Sequence, residues 1–139
     1  MLNAREIVWK PAYEVGDAVI DAQHRELLGI ANSLIVATAE PIEAYLKLHE
    51  QVRSHFAHEE ALMRRTGYPG QLHHESEHAR LVDLLTSVRG NFSGGAWGFE
   101  SVRSFFQSWL IDHILSYDAP MIRYVRSASA EGDAARRAA

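Results

Sequence analysis

The sequence predicts an all-α protein, an up-down-up-down antiparallel four-helix bundle preceded by an extended N-terminal arm. Three observations predict it. Apolar residues recur at i, i+3, i+4, i+7 spacing in four long segments, Pro and Gly gather at the ends of those segments, and no stretch shows the period-two alternation of a half-buried strand. Short connections between consecutive helices make antiparallel neighbours the economical arrangement. With 139 residues, 47% of them hydrophobic and 23% charged, the chain suits a single core and is neither disordered nor fibrous in composition.

The arm carries apolar anchors, with Trp9, Pro11, Tyr13 and Val15 leading to Gly16. Asp21 reads as the N-cap of a first helix running to about Ala39, with His24, Leu27, Leu28, Ala31, Leu34 and Ile35 along one face. Pro41 sits where a first helical turn accepts proline, and a second helix then places Tyr45, Leu48, Val52, His55, Glu59 and Leu62 on one stripe. Gly67-Tyr68-Pro69-Gly70 stops it. A third helix, about Gln71 to Arg89, aligns His74, His78, Leu81, Leu85 and Val88; Gly90 to Gly98 is read as a loop. The fourth runs from about Phe99 to Tyr117 with Val102, Phe106, Trp109, Leu110 and His113 in register. The bundle is thus expected over residues 1–126, and the small, polar stretch from Ser127 to Ala139 is expected to be a disordered tail.

Composition removes several function classes. Lys plus Arg is 14 and Asp plus Glu is 18, so the net charge is 14 − 18 = −4, and there is no basic footprint for a nucleic-acid backbone. No apolar run reaches the roughly 18 residues of a membrane span, and residues 1–10 lack the apolar core of a signal peptide, so neither membrane insertion nor export is expected. The absence of cysteine removes disulfides, iron–sulfur ligation, thiolate zinc sites and Cys nucleophiles, and suits a reducing cytoplasm.

The unusual number is eight histidines, five of which fall on the apolar stripes: His24, His55, His74, His78 and His113. A single core histidine is ordinarily one hydrogen-bonded to a neighbour. Five together exceed the acceptors that a bundle core offers, and each unpaired buried polar group costs roughly 1–3 kcal/mol. A metal removes that cost by taking the lone pairs directly. Carboxylates join the same faces. Glu59 lies four residues after His55, offset by about 40° at roughly 100° per residue, whereas Glu60 lies about 140° away and reads as solvated. Asp118 follows His113 by five residues, a poor match to an ideal helix, although Pro120 suggests that the helix loosens there and turns Asp118 inward. Five imidazoles and two carboxylates exceed the needs of one first-row ion. Divided as three His, two His and two bridging carboxylates, they suit a pair, with iron favoured and manganese or zinc open.

At this point the chain resembles the hemerythrin family, specifically its single-domain bacterial members. The resemblance covers Trp9 to about Val125. It rests on Asp21-Ala22-Gln23-His24, on His55-Phe56-Ala57-His58-Glu59-Glu60-Ala61-Leu62-Met63, on Tyr68-Pro69 followed by His74 and His78, and on Trp109-Leu110-Ile111-Asp112-His113 with Asp118 five residues later. Ala119-Pro120 departs from the usual continuation. The resemblance implies a non-haem di-iron centre in which His74, His78 and His113 complete one iron and His24 and His55 hold the other. Glu59, Asp118 and a solvent-derived oxo or hydroxo group bridge the two. It implies that O₂ takes the open position on the second iron. Leu27, Leu28, Phe56, Trp109 and Leu110 are candidate walls of that O₂ pocket, and are equally readable as ordinary core. His49, His58 and His73 match no ligand position and read as surface residues.

His74-Glu75-Ser76-Glu77-His78 also fits the H-E-x-x-H pattern of zinc proteases, but that reading leaves His24, His55, Glu59 and His113 unexplained. The ferritin-like di-iron oxidases need Glu-x-x-His on two helices, and only Glu75 to His78 fits. Within the di-iron reading, the expectation is reversible O₂ binding for storage, transport, delivery or sensing by a non-enzymatic monomer, with an oxidase or a signalling protein as partner. The alternative is a di-iron enzyme acting on peroxide, nitric oxide or an oxidisable substrate.

Overall fold

A computed structural model describes residues 4–36, 41–93 and 97–138. Its helices are α1 (Ala18–Val36), α2 (Pro41–Thr66), α3 (Gln71–Ser87), the short α4 (Arg89–Ser93), α5 (Phe99–Phe106) and α6 (Ala119–Ala138). Between α5 and α6 the backbone stays helical through two wide π turns, Gln107–Asp112 and Ile114–Asp118, so 99–138 forms one long rod. The protein is an all-α four-helix bundle: α1 packs on α2 and on α5, α2 packs on α3, and α6 returns to α2. The described residues contain no strand, and none of their helices is long and apolar enough to cross a membrane.

The arm and the first helix are tied differently from the expectation. Asp17, not Asp21, caps α1: its Oδ1 accepts the Ile20 N–H at 3.0 Å. Asp21 lies one turn further in and is buried, because its carboxylate accepts the Val15 N–H at 2.7 Å and the Gly16 N–H at 3.2 Å, folding the arm back over the helix. Asn32 fixes the other end of the arm, accepting from Ile7 N–H at 2.8 Å and donating to Ile7 C=O at 3.0 Å. Pro11–Tyr13 makes a single 3₁₀ turn that buries Tyr13. The expected end of α1, residues 37–39, lies outside the described residues.

α2 ends as its sequence predicts. Gly67 adopts φ +67°, and the N–H groups of Tyr68 and Gly67 reach back to Met63 C=O and Arg64 C=O, closing a Schellman motif that only a residue tolerant of the left-handed region makes cheaply. α3 stops at Ser87, and part of the expected Gly90–Gly98 loop is helical as α4. In the last rod, α6 continues helically to Ala138, across the stretch that composition assigns to a tail. One apolar core runs through the bundle, with Ile20, Ile35, Leu48, Leu85, Phe106, Ile111, Met121 and Ile122 fully buried. Each such side chain contributes roughly 1.5–3 kcal/mol by leaving water.

Candidate metal centre

Among the described residues the buried polar side chains are Asp21, satisfied by the arm, and seven others: His24, His55, Glu59, His74, His78, His113 and Asp118. α1 supplies His24, α2 supplies His55 and Glu59, α3 supplies His74 and His78, and the last rod supplies His113 and Asp118. They converge in two groups, Glu59, His74, His78, His113 and Asp118 in one and His24, His55, Glu59 and Asp118 in the other. The donor atoms of each group lie within 4.8 Å of one another.

The two carboxylates belong to both groups, and each turns one oxygen to each side. Glu59 Oε1 lies 3.0 Å from His78 Nε2 and 3.6 Å from His74 Nε2, while Oε2 lies 3.3 Å from His55 Nε2 and 3.7 Å from His24 Nε2. Asp118 Oδ1 is 3.1 Å from His74 Nε2 and 3.2 Å from His113 Nε2, and Oδ2 is 3.0 Å from His24 Nε2. All five imidazoles therefore present Nε2 inward.

Apart from the hydrogen bond between His78 Nε2 and Glu59 Oε1, these contacts are short without being satisfied. Among the described residues, every buried side-chain nitrogen or oxygen without a hydrogen-bond partner belongs to His24, Glu59, His74, His113 or Asp118, and both Asp118 oxygens are among them. At 3.1 and 3.2 Å the His74 and His113 nitrogens are close enough to Asp118 to bond but are not aligned to do so. His24 Nε2 and His55 Nε2 share one hydrogen bond at 3.0 Å, and the remaining unpartnered donor atoms, gathered in each group within 4.8 Å of one another, are a set that fits cations; an imidazole–carboxylate set without thiolate is one that iron, manganese or zinc accepts.

Electrostatics among these side chains reinforce the point. Burial alone would push His24 down, but the Asp118 and Glu59 carboxylates outweigh it and raise it from 6.5 to about 9; His74 is raised to about 9 in the same way. Burial would raise Glu59, yet the imidazoles of His55, His24 and His74 hold it well below the usual carboxylate range. Asp118 is likewise lowered: burial and the Glu59 charge oppose this, and His113 and His24 prevail.

Two residues that support the cluster escape a one-helix reading. Gln23 Oε1 lies 2.6 Å from His55 Nδ1, and since that oxygen only accepts, the ring proton sits on Nδ1 and Nε2 keeps its lone pair. Glu60, read as solvated from its angle on α2, reaches across to α3 and accepts from His78 Nδ1 at 2.9 Å. Such outer carboxylate–histidine pairs fix ring orientation and raise ligand basicity. The only sequence signal for Glu60 was its place beside Glu59. Phe56 stacks on His78 at 3.8 Å with the planes 4° apart, which further fixes that ring. His49 and His58 are half-buried and His73 is exposed, and all three stand outside both groups.

A cavity of about 10 Å³, at the lower limit for a single water, adjoins the cluster; beside His24, His55, His113 and Asp118 it is lined by Leu27, Phe56, Leu81, Trp109 and Leu110. Leu28 does not line it. Leu27 and Leu28 fall about 60° and 40° to opposite sides of His24 around α1, and Leu28 turns to the groove beneath the arm with Ile7 and Trp9. Leu81 takes the place expected for Leu28. The Trp109 indole N–H is committed to Leu81 C=O at 2.8 Å.

A four-helix bundle with a buried, carboxylate-bridged histidine cluster has the form of a cation-binding domain. Comparison with known proteins agrees: the model of the hemerythrin HHE cation binding domain matches residues 15–125, and the chain belongs to the hemerythrin family. It is 31% identical over 117 residues to the bacteriohemerythrin of Stenotrophomonas maltophilia, covering 81% of this chain and 76% of that one. It is 30% identical over 133 residues to a Pseudomonas aeruginosa bacteriohemerythrin, covering 90% of this chain and 85% of that one. The Clostridium acetobutylicum bacteriohemerythrin is 25% identical over 127 residues, covering 83% and 98%.

Proposed function

We propose that the chain binds dioxygen reversibly at a pair of iron ions, His74, His78 and His113 holding one, His24 and His55 the other, and Glu59 and Asp118 spanning both. The observation that supports this best is the double-faced placement of both carboxylates, one oxygen toward each histidine group. When bound, a reduced iron pair supplies the electrons that make dioxygen a ligand. The chain's own part is to hold and to shield. Gln23 and Glu60 set the imidazole tautomers, Phe56 fixes the His78 plane, and Leu27, Leu81 and Leu110 keep water from the cavity. Binding is favoured over turnover because the cavity wall outside the cluster is apolar, and its one N–H, on Trp109, is already given to Leu81. We further propose that the chain serves storage, transport, delivery or sensing of oxygen as a monomer in the cytoplasm.

The test is anaerobic reduction with iron quantification, followed by admission of O₂ under a visible spectrometer. About two irons per chain and a new band that disappears under vacuum is the expected result. A band that decays irreversibly while peroxide or an oxidised product accumulates would replace binding by catalysis, and a protein that retains only zinc would revive the hydrolase.

The raised His24 and His74 also predict how loading depends on pH. Between 6.5 and about 9 the metal-free protein keeps protons on both that the unfolded chain has lost. Their contribution to metal-free stability is complete below 6.5 and disappears as pH rises through about 9. A cation needs the lone pairs, so loading at pH 7.5 should release about two protons per chain, and apparent affinity should climb as pH rises toward 9. A pH indicator in weak buffer measures the release; none at pH 7.5 would show that the imidazoles are already neutral.

A further inference from the structure

The five-residue step from His113 to Asp118 is the least helical feature of the cluster, and the backbone explains it. In an α-helix those two positions would lie about 140° apart. Here Ile114–Asp118 is a π turn, closed by the Ala119 N–H to Ile114 C=O, and the wider turn brings the fifth residue back toward the starting side. Asp118 accordingly meets His113 at 3.2 Å, with His74 and His24 on its other edges.

Two residues later stands Pro120. In α register residue 120 would donate to Ser116 C=O, but proline has no N–H and its ring collides with that carbonyl. The π turn relieves the collision by shifting the register, and it leaves Pro120 as the second residue of the α-helix Ala119–Ala138, in the first turn, where a missing N–H costs least.

We propose that Pro120 is a positioning residue for the metal centre, holding residues 114–118 in the wide register that turns Asp118 onto the histidines of both groups. The proposal rests on the reading of Asp118 as a bridging ligand.

Pro120→Ala separates this role from a merely structural one, because iron should be lost without loss of the fold. The missing N–H lies in the first turn, where it costs least, so the metal-free variant should melt no lower than the unsubstituted chain in circular dichroism. The same variant should bind Fe(II) at least tenfold more weakly in anaerobic titration and retain one iron or fewer after gel filtration. In an Asp118→Asn background Pro120→Ala should add no further loss of iron. Unchanged iron affinity would overturn the proposal. So would a lower metal-free melting temperature accompanying the loss of iron, since damage to the fold would then account for it, and so would a full additional loss in the Asp118→Asn background. Failure of the unsubstituted chain to retain iron would instead overturn the site reading itself, and the proposal with it.

Discussion

Stripping the metal with a chelator at pH 7 is expected to lower the melting temperature by about 20 °C, without unfolding the protein at 25 °C. The size follows from linkage. An ion present at a thousand times its dissociation constant stabilises the folded state by about 4 kcal/mol, so the two ions of the proposed pair would contribute about 8 kcal/mol. For a chain of this length each kcal/mol moves the midpoint by about 2–4 °C. The cluster explains why the energy resides there. Glu59 and Asp118 are fully buried, and Glu59 Oε2, both Asp118 oxygens and the Nε2 atoms of His74 and His113 have no aligned partner, so the fold bears their desolvation until a cation takes their lone pairs.

The metal-free protein should nevertheless persist as a folded bundle. Leu48, Leu85, Phe106, Ile35 and Ile122 are fully buried core residues independent of the cluster, and the protonated His24 and His74 offset part of the carboxylate charge. Differential scanning calorimetry before and after chelation, with readdition of Fe(II), measures the shift. A change under about 5 °C would show that the imidazole–carboxylate network sustains itself, and the metal reading would lose its energetic basis.

How much of this was legible in the sequence depends on how many helices each inference needed. The convergence of His24, His55, Glu59, His74, His78 and His113 was legible because each breaks an apolar stripe, and a stripe is a property of one helix. Asp118 was harder, since its spacing contradicts the α period; Pro120 pointed to a loosening, and the rod does widen there into a π turn that brings Asp118 inward, but it does not end and instead changes register. Gln23 and Glu60 were not legible, because their roles exist only once α1 meets α2 and α2 meets α3. Leu28 was assigned to the cavity for the same reason: closeness to His24 along one helix does not say which neighbour covers which side. Asp21 and Asp17 both offered a capping side chain, and the choice between them was decided by the arm, whose Val15 and Gly16 amides needed an acceptor.

On the proposed di-iron reading, Glu59→Gln should cost the protein its metal pair more completely than any other single isosteric change. The side chain is fully buried and faces four imidazoles, His78 at 3.0 Å and His74 at 3.6 Å through one oxygen, His55 at 3.3 Å and His24 at 3.7 Å through the other. Glutamine keeps the shape but replaces one oxygen by an NH₂ that has no lone pair for a cation, and it removes a buried negative charge from between two positive ions. Iron content should fall from about two per chain to below one, and the oxygen-dependent band should vanish. Glu60→Gln is the informative companion. It alters only the partner of His78 Nδ1, so it should retain both irons while weakening affinity by about 10–100-fold. The ordering carries the argument: a carboxylate that spans two ions cannot be replaced by its amide, whereas one that orients a histidine from outside can be. Two irons retained by Glu59→Gln would remove Glu59 from the bridge, and equal losses in both variants would mean that the cluster depends on total charge and not on which oxygen faces which ion.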